Sequence, residues 1–516
     1  MGLLVLLALP ALAKADFGFV PGSVEARALK RDGTTETRAG SHPYSFSVHF
    51  ELKTDEKGEP EGGEVRNILV DLPPGFFGNP QAVPSCPQRL FGSSKPKCSP
   101  GTQVGFVRAV VPGIGEASGA LYNLTPPPGS PAMLGFSAGG GLISLQFPAV
   151  RTEEGYGLTV SAPNLPVPVA SVTETIWGVP ADEGHTPQRG STQAGGVKSE
   201  APLLPFITLP ASCEAPPAIL AKAASRQAPD VFAKEGGHFL NAAGQPTPMS
   251  ACGEVPFSPK IASQPTSKLA SNPSGLDFET KLPNQGLLAP GNIAETEPRK
   301  AVIALPEGMS VNPSFAEGIA VCSQEQYEAE KLETEPGQGC PQASKIGSMI
   351  AHSPLLEEPV EGALYLAAPY ENEFGTLGAI YLVARAPERG VLIKQAGRVD
   401  FDPATGQITS TFEGLPPLPY SSFKVHLREG ARAPLVTPSA CGQYETTAKL
   451  TPFSVKDDSE ASVATASFQI ERGPDGGACP KGGLPPFKPV LLAGTTNNAA
   501  GRFSPFNLRI SRTDAE

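Results

Sequence analysis

The sequence predicts a mainly β protein: tandem antiparallel β-sandwich (Ig-like) domains with long loops and little helix. Three observations predict it. Short β-branched or aromatic segments lie between turn signals along the whole chain, with 56 Gly and 58 Pro as punctuation. Whole stretches recur at a step of about 230 residues, far longer than a solenoid repeat, so complete domains are copied. The eight cysteines fall four to a copy.

Taken in order, residues 1–15 carry an apolar stretch followed by small-x-small sites ending at Ala13 or Ala15, the pattern of a secretory signal without a basic n-region. Residues 16–257 form the first copy, with strands expected at 46–52, 67–72, 105–111, 142–147, 158–161 and 207–209. Within it, 178–204 reads as a flexible insertion, as does the Ala-rich stretch 216–248. Residues 258–486 form the second copy, with strands expected at 301–305, 377–384, 391–393, 408–412, 423–427 and 463–470. Asp402-Pro403-Ala404-Thr405-Gly406 marks a hairpin there. A helix over 323–332, capped by Ser323, is expected as a decoration of this copy alone. Residues 487–516 read as the start of a third copy.

The repeat is carried by particular residues. Phe46, Leu276 and Phe506 stand at matching places, followed two residues on by Val48, Phe278 and Leu508. Leu72-Pro73-Pro74-Gly75 returns as Leu305-Pro306-Glu307-Gly308, Asn79-Pro80 as Asn312-Pro313, and Gly119-Ala120-Leu121-Tyr122 as Gly362-Ala363-Leu364-Tyr365. Leu165-Pro166-Val167-Pro168 has its counterpart in Leu415-Pro416-Pro417-Leu418-Pro419. The favoured cysteine pairing is nearest-neighbour: Cys86 with Cys98, Cys213 with Cys252, Cys322 with Cys340, and Cys441 with Cys479. No C-x-x-C occurs, which disfavours a zinc site.

A formal charge of −11 without a basic run argues against nucleic acid or anionic lipid as partner. Beyond residue 15 no segment approaches the ~20 apolar residues of a membrane span. Gly135-Phe136-Ser137-Ala138-Gly139 fits the nucleophile-elbow pattern, with Asp182 and His185 or Asp230 and His238 as candidate partners. A Gly-rich strand is the favoured reading, because β-type residues rather than a helix follow Ser137. His42, His49, His185, His238, His352 and His426 do not match between copies and lack ligand spacing, so no metal and no cofactor are expected. Asp400, Asp402 and Thr405 could line a calcium turn, but lack a third acidic ligand. Leu415 to Pro419 reads as a strand entry or edge protector rather than a polyproline ligand. A single Trp177 gives sugar binding little support.

The recurring Leu-Pro-Pro-Gly, Asn-Pro, Cys86-Pro87, Gly-Ala-Leu-Tyr and Ala211-Ser212-Cys213 motifs resemble a group of large exported bacterial proteins built from this domain in tandem. The resemblance implies surface display and carries no activity. The expected function is therefore an exported surface or cell-envelope structural or adhesive protein with an unknown surface or cell-wall partner. A secreted hydrolase using Ser137 and a glycan- or small-ligand-binding module are the alternatives.

Overall fold

The computed structural model describes residues 16–92, 96–138, 141–146, 149–152, 155–190, 196–479, 489–497 and 499–511. The leader at 1–15 and the boundary at 487 lie outside them.

The fold is mainly β. In the first half, β1 (Glu25–Leu29), β2 (Ser45–Glu51), β3 (Val65–Asp71), β4 (Gln103–Val111), β5 (Gly115–Leu124), β6 (Met133–Ala138), β7 (Gly141–Gln146), β8 (Gly155–Ala162), β9 (Ser171–Trp177), β10 (Ala218–Ser225) and β11 (Phe232–Phe239) share one sheet. Its order is β1-β2-β9-β4-β5-β6-β7-β8-β3-β10-β11. A parallel pairing of Glu25 with His238 returns β11 to β1, so the sheet curls round onto itself.

The second half supplies β12 (Lys260–Pro265), β13 (Leu276–Lys281), β14 (Pro298–Ala304), β15 (Lys345–His352), β16 (Val360–Leu366), β17 (Gly378–Ala386), β18 (Val391–Phe401), β19 (Ile408–Glu413), β20 (Ser422–Leu427), β21 (Gly442–Pro452) and β22 (Ser462–Ile470). Their order is β12-β13-β20-β15-β16-β17-β18-β19-β14-β21-β22. Each strand thus occupies the place of the first-sheet strand numbered eleven lower. Here too the ends meet, with Gln264 Nε2 donating to Ser467 O at 3.3 Å.

The alternation that makes these strands is visible in burial. In β4 the inward Val107, Ala109 and Val111 are buried while Arg108 and Val110 face out. Recurring motif residues have local causes. Gly75 and Gly308 both sit at positive φ, 81° and 88°, beneath Pro210 and Pro438. A Cβ on Gly119 or Gly362 would lie 2.1 Å from Ser137 O or 2.5 Å from Val383 O, so neither ladder admits a side chain there.

Disulfides join Cys86–Cys98, Cys213–Cys252, Cys322–Cys340 and Cys441–Cys479, with Cα separations of 5.5, 6.1, 4.9 and 5.9 Å. Both short loops so closed hold a helical turn: α1 (Gln88–Phe91) and α2 (Gln324–Glu328). The helix is therefore not peculiar to the second half, and it is shorter than expected. Ser323 and Gln326 form a capping box, but the chain leaves the helix at Ala329 so that Glu330 can turn inward to Arg385 and to Cys340 N.

Two more expectations are corrected. The 216–248 stretch is no insertion: it forms the β10–β11 hairpin, with Ala221, Ala223 and Ala224 fully buried where the sheet leaves no room for larger residues. Within 178–204 the part around His185 and Arg189 is packed rather than loose, while Val197 and Leu203 are exposed. His185 is fully buried, stacked between Tyr44 and Trp177, and Arg189 lies over Trp177 while donating to Val197 O and Pro180 O. Burial pushes the His185 imidazole down to about 4.

The sheets touch through loops and through one strand-to-strand contact. Ala294 N donates to Gly40 O and Gly129 N to Glu388 O, both at 2.9 Å. Tyr156 Oη accepts from Lys394 N (2.7 Å) and donates to Lys394 O (2.8 Å). Phe77, Leu287 and Ala294 close a small apolar cluster between the halves. At the end of the described chain, Val490–Thr495 pairs with Phe506–Ser511 as a two-stranded ribbon whose apolar residues are exposed.

Candidate functional site

The two interiors are packed differently. One continuous cluster fills the first sheet, including Phe46, Phe50, Val70, Phe136, Leu145 and Phe239. It leaves a cavity of only about 50 Å³. The second sheet's buried residues fall into separate clusters around a chamber of about 850 Å³. The chamber runs from inside the second sheet to the end of the first sheet's core.

Ladder register shows where the space comes from. Val48 lies opposite Glu174, and Phe278 opposite Val425, so Phe46 and Phe50 of β2 correspond to Leu276 and Thr280 of β13. Val160 of β8, opposite Val70, corresponds likewise to Ser410 of β19, opposite Ile303. Phe46, Phe50 and Val160 are thus replaced by smaller side chains, while Phe278 stands where the first sheet has Val48. Leu415, Pro416, Leu418 and Pro419 close one side of the chamber, while Leu165 and Val167 border the small cavity in the first sheet. The Leu-Pro segments therefore cap the interiors, a role their edge-protector reading missed. The legible signal was leucine alternating with proline in a loop.

The wall is overwhelmingly apolar. Among the described residues lining it none is Lys, Arg, His or Asp, and Glu174 is the one carboxylate. Glu174 stands on β9 where the second sheet has Val425, and it lines both the chamber and the small cavity behind it. Its Oε1 is buried and has no hydrogen-bond partner, while the residue as a whole is half-buried. Burial alone pushes its carboxyl up to about 7. Tyr420 also lines the chamber, its hydroxyl raised by burial and then by the neighbouring Glu297. Glu297 is itself pushed up to about 8 by burial, with Glu295 adding to the shift.

The expected catalytic constellation does not assemble. Ser137 lies within β6, paired with Leu142 of β7, and not on a strand-to-helix turn. By register its counterpart is the buried Val383. His238 is on β11, with at least four strands between it and β6 in either direction round the sheet. His185 is packed between two rings, Asp182 pairs with Arg31, and Asp230 lies in the β10–β11 turn. The remaining histidines are likewise engaged one by one: His42 with Gly286 O, His49 with Thr173, His352 with Ser422 and His426 with Asp277. Among the described residues, no three His, Cys, Asp or Glu side chains group as a metal site. Asp402 Oδ1 accepts from Ala404 N, Thr405 N and Thr405 Oγ1, so its own hairpin turn uses that oxygen. No helix among the described residues is long and apolar enough to cross a membrane.

No family model matches the chain, and no curated protein matches it in sequence. Among solved structures it is similar to the C-terminal domain of the Streptococcus agalactiae AgI/II polypeptide BspA, at 6% identity and a TM-score of 0.18, over 86% of this chain and 100% of that one. It is similar to the collagen adhesin CNA from S. aureus at 7% identity and a TM-score of 0.18, over 88% of this chain and 91% of the other. The Enterococcus faecalis MSCRAMM ACE is similar at 8% identity and a TM-score of 0.18, over 84% and 91%. Scores this low do not bear on what the chain does.

Proposed function

We propose that the chain is an exported, disulfide-stapled pair of homologous β-domains, residues 16–257 and 258–486, that binds an apolar small molecule in the chamber of the second domain. The matching strand orders support the pairing, and four disulfides suit an oxidising compartment. The observation that carries the binding function is the chamber itself. Its 850 Å³ lie within the range of sites that enclose a whole small ligand. A polar wall could be met by water; this wall favours an apolar guest. Titration with the neutral fluorophore N-phenylnaphthylamine tests it. Saturable binding at one site per chain, lost when L276F and T280F restore the first sheet's phenylalanines, is the expected result. No saturable binding would refute it.

An adhesive or structural surface role is the second reading. The strand order repeated from one half to the other favours it, since identical modules extend a stalk or multiply weak contacts. Retention on cell-wall or host-surface preparations, unaffected by filling the chamber, is what that reading expects.

A further inference from the structure

We infer that Glu174 recognises the ligand's head, and that the ligand is an apolar chain or ring system carrying one hydrogen-bond-donating head, an amine or a hydroxyl, and no anionic group. This rests on the binding function proposed above and specifies its ligand.

Four observations carry the assignment. Glu174 sits at the first-sheet end of the chamber, so a head placed there leaves the second sheet's apolar interior for the tail. Its Oε1 is buried without a partner, and a buried acceptor left unmatched is a persistent penalty that a donor from the ligand would remove. The second sheet places Val425 at the same ladder position, so neither strand pairing nor packing requires an acid there. Finally, no Lys, Arg or His among the described residues lines the chamber. A carboxylate or phosphate head would be desolvated without a counter-charge and would face the one acid in the wall.

The flanking residues fit this role. Val48 on β2 and Val107 on β4 stand directly beside Glu174 in the sheet, and neither can donate a side-chain hydrogen bond. The carboxyl is thus held between apolar neighbours, with its unpartnered oxygen left for a ligand. This is the usual design of a small-molecule pocket: broad apolar walls with few polar groups that fix orientation.

The test is displacement of N-phenylnaphthylamine from the full chain by three probes with the same tail: dodecylamine, dodecanol and dodecanoate. The amine and the alcohol should displace roughly ten- to hundredfold better than the carboxylate. A stronger amine identifies an ionised pair with Glu174; an equal or stronger alcohol identifies a neutral hydrogen bond. Either order supports the assignment. E174V, copying the second sheet, should keep fluorophore affinity and lose the head preference. E174Q, nearly the same shape, should keep the alcohol and lose any advantage of the amine, and it serves if E174V does not fold. Equal displacement by dodecanoate, or a preference that survives in E174V, would overturn the inference while leaving apolar binding intact. Absence of fluorophore binding would instead overturn the binding function and this inference with it.

Discussion

The first and second sheets follow the same strand order, yet one encloses a filled core and the other a chamber. The ladders, the turn glycines and the cysteine positions are shared; the inward side chains are not. Phe46 and Phe50 give way to Leu276 and Thr280, Val48 gives way to Phe278, and the one acid of the chamber wall is contributed from the first sheet's side. Architecture and the proposed binding are therefore carried by different residues of one pattern. The first half contributes one end of the chamber wall, and the second contributes most of it.

The comparison breaks most directly if equivalent truncations behave alike. Phe136 and Leu382 correspond by register. F136A, in a filled core, should destabilise by about 3–5 kcal/mol, whereas L382A, beside existing space, should stay near the low end for such changes, about 2 kcal/mol. Denaturant melts of the two variants measure it; equal losses would mean that the second interior is as tightly filled as the first. The long disulfides, in contrast, should behave alike. Removing Cys213–Cys252 or Cys441–Cys479, which close loops of 39 and 38 residues, should each cost roughly 3–4 kcal/mol in the chain-entropy model. A clearly unequal pair of losses would show that the staples do not serve equivalent places.

How much of this was legible follows from what each feature depends on. The mainly β fold and most strands were readable because they rest on local signals: alternation and turn glycines. β10 and β11 were missed because alanine and lysine are poor strand formers, and only the surrounding sheet makes Ala221 and Ala223 fit. The packing of 178–204 was hidden because it depends on Tyr44, more than a hundred residues away. The chamber was not legible at all. Replacing Phe50 by Thr280 is an ordinary substitution until the register shows that both point inward. Glu174 read as a polar position on a β-strand, and its neighbours across the sheet, Val48 and Val107, are brought beside it only by folding.

Acidity sharpens the contrast further. Glu174 and Glu297 titrate at about 7 and about 8 in the folded chain against 4.5 for the ordinary side chain. Their burial is tolerated fully below 4.5, and stability should fall as pH rises from there through these values. His185 works in the opposite direction. Lowered to about 4 from 6.5, it contributes stability above 6.5 that is lost as pH falls toward 4. Melting curves across pH should therefore show an alkaline limb flattened by E297Q and an acid limb flattened by H185Q. An alkaline limb unchanged in E297Q would place its origin elsewhere.

Smaller effects complete the series. T280F alone should stabilise by about 1 kcal/mol through filling space, while weakening fluorophore binding. S137A should change stability by less than about 0.5 kcal/mol and leave any ester-hydrolysing activity of the preparation unaltered. Loss of such activity in S137A would reopen the hydrolase alternative.

The most direct measurement of the central claim is photolabelling of the full chain with a diazirine-bearing alkane, followed by mapping of the adducts by mass spectrometry. Adducts concentrated on Leu276–Lys281 and Ser422–Leu427, competed away by dodecanol and sparse on Gln103–Val111, are the predicted result. Equal labelling of both interiors, or labelling confined to the exposed ribbon of Val490–Thr495 and Phe506–Ser511, would contradict it.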